Sequence, residues 1–460
     1  MINRRYMRSY TSYYKQIGRL GLPILVGQLG TVVVGFADNI MVGHYSTEAL
    51  AAASFVNNIF NSVMFACMGF TYGLLPLAGA LFGGHDREES ERRIGALVRN
   101  AMLVNVLYAL FVVGIMTAVY FNLHRLGQPE ELMPLIRPYF LLYLAGVVPI
   151  SIFNLMAQWS YSVRNTTMPM WIVLSANLLN IFGNYLLIYG KFGMPELGLT
   201  GAGISTLVAR VIMVTAISGI FFLKASNRRY SIGFTTGKVT LKSMKVVWKT
   251  SLPVSMQMLF ESGSFSAAAI MAGWISTVAL AAYQIVVIVG MLGFCLYYAI
   301  GSAVAVLVSN EAGTGDKRAM RRAGWAGYHV MIVLATFSSL IFVCFAPKLT
   351  ALFTPDSEVL AQTLLLIFPL VLYQLGDATQ ITFANALRGT SHVMPMLWIA
   401  FASYVAVGIP ATYLMAFNAG LGIYGIILSF SVSLFMAGGL FLYFFIRATR
   451  VRPSDKLSLS

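Results

Sequence analysis

The stretch IMVGHYSTEALAA (Ile40–Ala52) returns 230 positions later as IMAGWISTVALAA (Ile270–Ala282), identical at nine of thirteen positions. The offset holds without a gap to either side. Leu22-Pro23 pairs with Leu252-Pro253, and Gly83 and Asp86 pair with Gly313 and Asp316. Further along, Arg164 and Pro169 recur near Arg388 and Pro395, and LGLTG (Leu197–Gly201) recurs as LGIYG (Leu421–Gly425). The chain is two copies of one unit, and the nature of that unit decides the fold.

The unit is too apolar for water. Of 460 residues, 58% are hydrophobic and 10% charged, with mean hydropathy +0.76, whereas soluble domains carry about a quarter charged residues. A bilayer crossing needs about 20 apolar residues. Runs of that kind predict spans at 18–43, 48–82, 97–121, 133–161, 168–190, 200–223, 247–274, 279–309, 324–347, 359–387, 394–416 and 420–446. Six spans per copy is an even number, so both copies enter the membrane in the same sense. The expected fold is an all-α integral membrane protein of twelve transmembrane helices, in two six-helix lobes related as parallel repeats. The expected division is a leader (1–17), an N-lobe (18–223), a linker (224–246), a C-lobe (247–446) and a tail (447–460).

The net charge of +15 points to topology and not to nucleic acid. A nucleic-acid binder carries a basic stripe on a soluble domain; here Lys and Arg lie in short patches between apolar runs. With the N-terminus cytoplasmic, 26 of the 31 Lys and Arg fall on the cytoplasmic side or at its edge. That agrees with the positive-inside rule and places both termini in the cytoplasm. Only Arg125, Arg137, Lys191 and Lys348 fall outside, and Arg210 lies within a span. The basic leader (Arg4, Arg5, Arg8, Lys15, Arg19) has no small-residue cleavage site after it, so the first span reads as a retained helix. Lys224–Lys249 reads as a solvated linker.

Enzyme chemistry has little to stand on. Cys67, Cys295 and Cys344 lie in apolar segments without disulfide or zinc spacing, and the five histidines (His44, His85, His124, His329, His392) are scattered. No Walker lysine or Gly-rich phosphate loop is present. Neither an enzyme nor an ATP-driven pump is expected, and transport would draw on an ion gradient.

Of sixteen Asp and Glu, only Asp38, Glu261 and Asp377 sit well inside spans. A charged carboxylate there costs about 2.5–3.5 kcal/mol on insertion scales, and such residues usually face a cavity and work. Residues three and four apart share a helix face. Glu261 thus lies with Gln257 and Ser264, and Asp377 with Tyr373, Gln374 and Gln380; Asn385 lies two turns further on. Asn177, Asn180 and Asn184 form one stripe on the fifth span. Amide oxygens beside a carboxylate suit Na⁺, and an acid taken out of water can carry a proton. The acids read as sites for a cation, a proton or both, against the plainer reading of neutral hydrogen-bonded groups. Arg210 is left open: it snorkels, pairs with Asp38, or helps to bind an anion.

Longer motifs carry a family resemblance. LPILVGQLGTVVVGFADNIMVGH (Leu22–His44), NIFGNYLLIYGKFGMPELG (Asn180–Gly198), FESGSF (Phe260–Phe265) with ALAAYQI (Ala279–Ile285), and GDATQITFANALRG (Gly376–Gly389) together resemble the multidrug and toxic compound extrusion (MATE) family, closest to its NorM-type bacterial branch. The resemblance covers nearly the whole chain. It implies a secondary active efflux transporter that exchanges cytoplasmic organic cations and drugs for inward Na⁺ or H⁺ by alternating access. It further implies a monomer in a bacterial inner membrane, with no cofactor beyond the coupling ion. By the same resemblance Asp38, Asn180, Asn184, Thr206, Glu261 and Asp377 couple the ion; with polar residues near the two C-lobe acids added, the expected substrate contacts are Gln257, Glu261, Gln284, Tyr373, Asp377 and Gln380. Na⁺ would sit at Glu261 and Asp377, or at Asp38, Asn180 and Asn184. Two departures stand out: Tyr283-Gln284 replaces a common His-Gln, and IVVIVG (Ile285–Gly290) replaces polar residues one turn later. Tyr297 and Tyr298 are the candidates for an aromatic hydroxyl in the eighth span. The rival reading is a lipid-linked oligosaccharide flippase of the same superfamily, which would have more helices and a cationic cavity.

Overall fold

The structure is a computed structural model that describes residues 10–84, 86–127, 129–351 and 356–450. Residues 1–9 of the expected leader, residues 451–460 of the expected tail, and His85 lie outside the described residues. The described chain is helical, with no strand among the described residues. The first half holds α1 (Tyr10–Tyr45), α2 (Thr47–Phe82), α3 (Arg87–Phe121), α4 (Glu130–Ser162), α5 (Thr167–Tyr189) and α6 (Gly198–Leu223). The second holds α7 (Leu241–Ile275), α8 (Thr277–Gly313), α9 (Lys317–Ala351), α10 (Ser357–Leu365 and Ile367–Gly389), α11 (Met394–Asn418) and α12 (Gly422–Ala448). The two pieces of α10 bend by 49° and together make the twelfth apolar span. The expected helix count therefore stands.

The repeat is visible in how the helices start. Ser46 and Ser276, 230 apart, both have extended backbones and accept from the third amide of the helix that follows, Ala49 N at 3.1 Å and Ala279 N at 3.0 Å. Asp86 and Asp316 do the same for α3 and α9, accepting from Glu89 N at 3.1 Å and Ala319 N at 2.9 Å. Short oxygen side chains supply the acceptor that the first turn's orphan amides need. The motifs LGLTG and LGIYG repeat a turn as well. Gly198 and Gly422 take φ of 54° and 55°, a left-handed conformation open to glycine at no steric cost. A Cβ at Gly201 or Gly425 would meet the carbonyl oxygen of Leu187 or Met415 at 2.5 or 2.6 Å.

Helix breaks have local causes. Pro369 lacks the amide that would bond the Leu365 carbonyl, and α10 bends just before it. In α11, Phe401–Gly408 and Leu414–Asn418 are wound as π-helix on either side of Pro410, whose ring opposes the carbonyl one turn back. Hydropathy alone carried no sign of this winding.

Packing divides the chain into two compact units, Val26–Ser255 and Met1–Leu25 with Met256–Ser460. Both divisions fall inside helices, two residues beyond Pro23 and two beyond Pro253, so the boundary keeps the 230-residue offset. In the second of these units α1 is tied by its first turns: Tyr13 donates to Glu311 Oε1 at 3.4 Å, and the Tyr14 hydroxyl meets His329 Nδ1 at 3.0 Å.

The segment expected to be a solvated linker is docked. Arg228–Thr236 forms a helix, the linker helix, that lies against α3. The two backbones touch: a Cβ at Gly233 would stand 2.0 Å from the Arg92 carbonyl oxygen, and one at Gly95 would stand 2.0 Å from that of Tyr230. Arg99 Nη1 donates to the carbonyls of Phe234, Thr235 and Gly237 at 3.4, 3.0 and 2.8 Å, which closes the linker helix's end. Arg229 pairs with Glu88 and with Glu91. Tyr230 is buried against Trp159, ring centroids 5.5 Å apart, and burial with Glu91 close by pushes its phenol above the ordinary value. We expect Gly233→Leu to wedge the helices apart and lower the stability of the detergent-solubilised protein by about 1–3 kcal/mol, the usual cost of overpacking. Exposed Thr236→Ala should leave the thermal transition in place; equal melting of the two variants would show that the contact holds nothing.

Candidate functional site

Glu261 and Asp377 lie in one compact unit, and Gln380 links Glu261 to the helix that carries Asp377. Gln380 stands on α10 three residues after Asp377, and its Nε2 donates to Glu261 Oε2 on α7 at 3.5 Å. Asp377 is 3% exposed and its Oδ2 has no hydrogen-bond partner among the described residues. Gln374, fully buried one turn back, has neither amide atom satisfied, and Gln380 Oε1 is also without a partner. Gly293 of α8 admits the Gln374 amide, since a Cβ there would lie 2.6 Å from its Oε1. Among the described residues, no ion pair involves Glu261, Asp377 or Asp38.

Unmade polar contacts in a buried place are costly, about 1–3 kcal/mol each and more for a charge. Such a cluster can take something that supplies positive charge or donors: a cation, a proton on a carboxyl group, or an ammonium. Among the described residues no three His, Cys, Asp or Glu group to hold a metal. Any metal cation would draw on carboxylate, amide and hydroxyl oxygens, the donor set for Na⁺ and not for zinc.

The other predicted residues of this unit are distributed as follows. Gln257 is buried on the Glu261 face of α7, one turn before the acid. Tyr373 lies against the pair Phe265 and Phe430, each with its ring centroid 6.3 Å away. Ser264 uses its hydroxyl on the Glu261 carbonyl at 2.7 Å. Gln284 is exposed on α8, and its neighbour Tyr283 turns inward to donate to the Phe265 carbonyl at 2.9 Å. Tyr297 is fully buried with its hydroxyl on Ser338 at 2.8 Å. Sequence reasoning missed Tyr404, buried on the first π-wound stretch of α11 with its hydroxyl unsatisfied. Its apolar neighbourhood gave no signal.

The other unit assembles the second carboxylate site. Asn184 Nδ2 donates to Asp38 Oδ1 at 2.5 Å. With the Asn180 amide oriented to satisfy both ends, its nitrogen donates to the same Asp38 oxygen at 2.9 Å and its oxygen accepts from the backbone amide and hydroxyl of Thr206, each at 3.2 Å. Asp38, Asn180, Asn184 and Thr206 are thus one connected group from α1, α5 and α6. Ser205, not foreseen, fastens α6 to α5 by donating to the Asn180 carbonyl at 2.8 Å. Asn177 does not join in: its Nδ2 is buried and unpartnered.

Arg210 makes no ion pair with Asp38 among the described residues, although its charge acts on that carboxylate. Its guanidinium lies over the Tyr143 ring, 4.5 Å from the centroid, and Nη1 donates to the Tyr143 carbonyl at 3.5 Å. Gly146 leaves room for it, because a Cβ there would stand 2.5 Å from Nη1.

Comparison with known proteins agrees with this architecture. The MatE family model matches residues 23–186 and 253–414, once in each half of the repeat. A Bacillus subtilis relative named probable multidrug resistance protein NorM is 27% identical over 442 residues, covering 96% of this chain and 97% of its own. The multidrug resistance protein NorM of Photobacterium profundum is 24% identical over 413 residues, 89% of each chain. Among solved structures, the eukaryotic MATE transporter AtDTX14 superposes with a TM-score of 0.85 at 16% identity, covering 97% of both chains. A MOP superfamily transporter from Pyrococcus furiosus superposes at 0.86 with 17% identity, covering 95% of this chain and 96% of its own.

Proposed function

The chain belongs to the MatE family, whose model it matches in both halves, and from that membership we propose that it is a multidrug exporter that trades organic cations for an inward Na⁺ or H⁺. The names of its relatives support the drug side of this reading. What supports the exchange side is the group of Glu261, Gln380 and Asp377, with a buried carboxylate oxygen unpartnered and, among the described residues, no ion pair to a basic side chain.

In this reading the two acids hold one positive charge at a time. A drug cation favours the ionised pair. An arriving proton or Na⁺ satisfies the same oxygens and removes the drug's reason to stay. Two adjacent carboxylates also bind a proton as a unit more tightly than either alone. Gln257, Tyr373 and Gln380 meet the substrate, while Asp38, Asn180, Asn184 and Thr206 take the ion in the other lobe. Transport alternates access to the two sides of a bacterial inner membrane, with both termini cytoplasmic. A monovalent drug exchanged for one monovalent ion moves no net charge, so only the ion's concentration gradient drives it; each extra charge moved inward adds about 2.3 kcal/mol per 100 mV.

Proteoliposomes test this directly. An ethidium-like dye should move when a Na⁺ gradient or a pH gradient is imposed, each set up separately, and should not move with neither. Dye movement that ignores both gradients would end the exchange reading, while dye that never binds would end the drug reading.

A further inference from the structure

Where α11 begins and α12 ends, the two helices leave an open apolar groove of about 400 Å³. Met394, Trp398 and Ala402 form one wall, and Leu440 and Phe444 the other. Trp398 is 66% exposed and Met394 55%. Both helices are long and apolar enough to span a bilayer, so the medium at this groove is hydrocarbon. A groove of this lining in that medium takes an acyl chain.

The rim adds a second requirement. Leu440, Phe444 and Arg447 follow one another at four and three residues, so they share one face of α12 and put the exposed Arg447 at the groove's end. The last carbonyls of α12 are already served by Arg321, which donates to Ile446 O at 3.2 Å and Thr449 O at 3.3 Å. Arg447 is therefore not needed as a cap, and among the described residues it forms no ion pair. His392, exposed just before α11, stands at the start of the other wall with Nδ1 held by the Thr390 carbonyl at 3.2 Å. From Ala378 to Arg450 the chain has no Asp or Glu. A zwitterionic headgroup would bring a cation to a rim whose own two helices offer it no acid, whereas an anionic one would find Arg447 and His392.

We propose that the α11–α12 groove is a binding site for an anionic phospholipid, its acyl chain along Trp398 and Phe444 and its phosphate at Arg447 and His392. Brominated lipids quench tryptophan on contact, so Trp398 reports the occupant. In phosphatidylcholine bilayers the Trp398 signal, taken as wild type minus Trp398→Phe, is titrated with either brominated phosphatidylglycerol or brominated phosphatidylcholine. The glycerol lipid should half-quench it at about a five-fold lower mole fraction, the worth of one basic residue at a membrane surface. Arg447→Gln with His392→Gln should make the two lipids equal, and Ala402→Leu, which fills the groove, should weaken quenching by both. Equal quenching in the wild type overturns the proposal, as does a preference that survives loss of Arg447 and His392. Quenching by neither lipid, as when a second copy covers the groove, overturns it too.

Discussion

Glu261→Gln and Asp377→Asn should each bring ion-driven dye extrusion down to the level of liposomes without protein, while the variants still insert and purify. Both substitutions keep the size and hydrogen-bonding shape of the side chain and remove only the charge. Gln380 can still donate to the amide oxygen at position 261, so the contact that joins α7 and α10 at 3.5 Å has no reason to fail. What is lost is the ability to be negative for the drug and neutral for the ion. Because competition between two ligands is a coupling free energy, it is reciprocal. In the wild type, dye affinity should fall by about 5–150-fold as the coupling ion is raised, the usual span of such couplings. In either variant the dye should bind more weakly, and its affinity should respond less to the ion, because one carboxylate remains. Purified wild-type protein that binds dye equally well from acid to alkaline pH, and with or without Na⁺, would sink this mechanism even if dye is transported.

Asp38→Asn should give the second large loss: extrusion uncoupled from the ion in a protein that folds. Asp38 Oδ1 receives two amide donors, from Asn184 at 2.5 Å and Asn180 at 2.9 Å. Asparagine retains one acceptor oxygen for them, so the α1–α5 contact survives while the negative charge does not. Asp38→Leu makes the contrast. It leaves both amides without an acceptor at about 1–3 kcal/mol each, and yield and thermal stability should fall together with transport. Ion-driven extrusion at the wild-type rate by Asp38→Asn would reduce this group to a structural hydrogen-bond cluster. The double set separates coupling from folding, which either variant alone would confuse.

The helices were legible because hydropathy over about 20 residues leaves few alternatives, and the repeat was legible because identical caps and turns recur. Ser46 with Ser276 and Gly198 with Gly422 show why those positions match: each supplies a backbone need that few residues meet. The intramembrane acids were legible by their cost. Other features were not. The docking of the linker helix depends on two glycines, Gly95 and Gly233, whose missing side chains carry no polarity signal. Tyr404 is buried on a π-wound stretch, whose changed period moves side chains off the faces that an ordinary helical spacing predicts. Arg210 was ambiguous in sequence because a buried guanidinium has several possible partners. Only the packing shows it lying over Tyr143.

The tie between the first turns of α1 and the far half of the chain sets a delay during synthesis. Tyr13 and Glu311 are 298 residues apart, and Tyr14 and His329 are 315 apart. A ribosome adding about 5–20 residues each second reaches those partners roughly 15–60 s after it has made the tyrosines. The first turns of α1 therefore cannot complete these two contacts until the second half of the chain has been made.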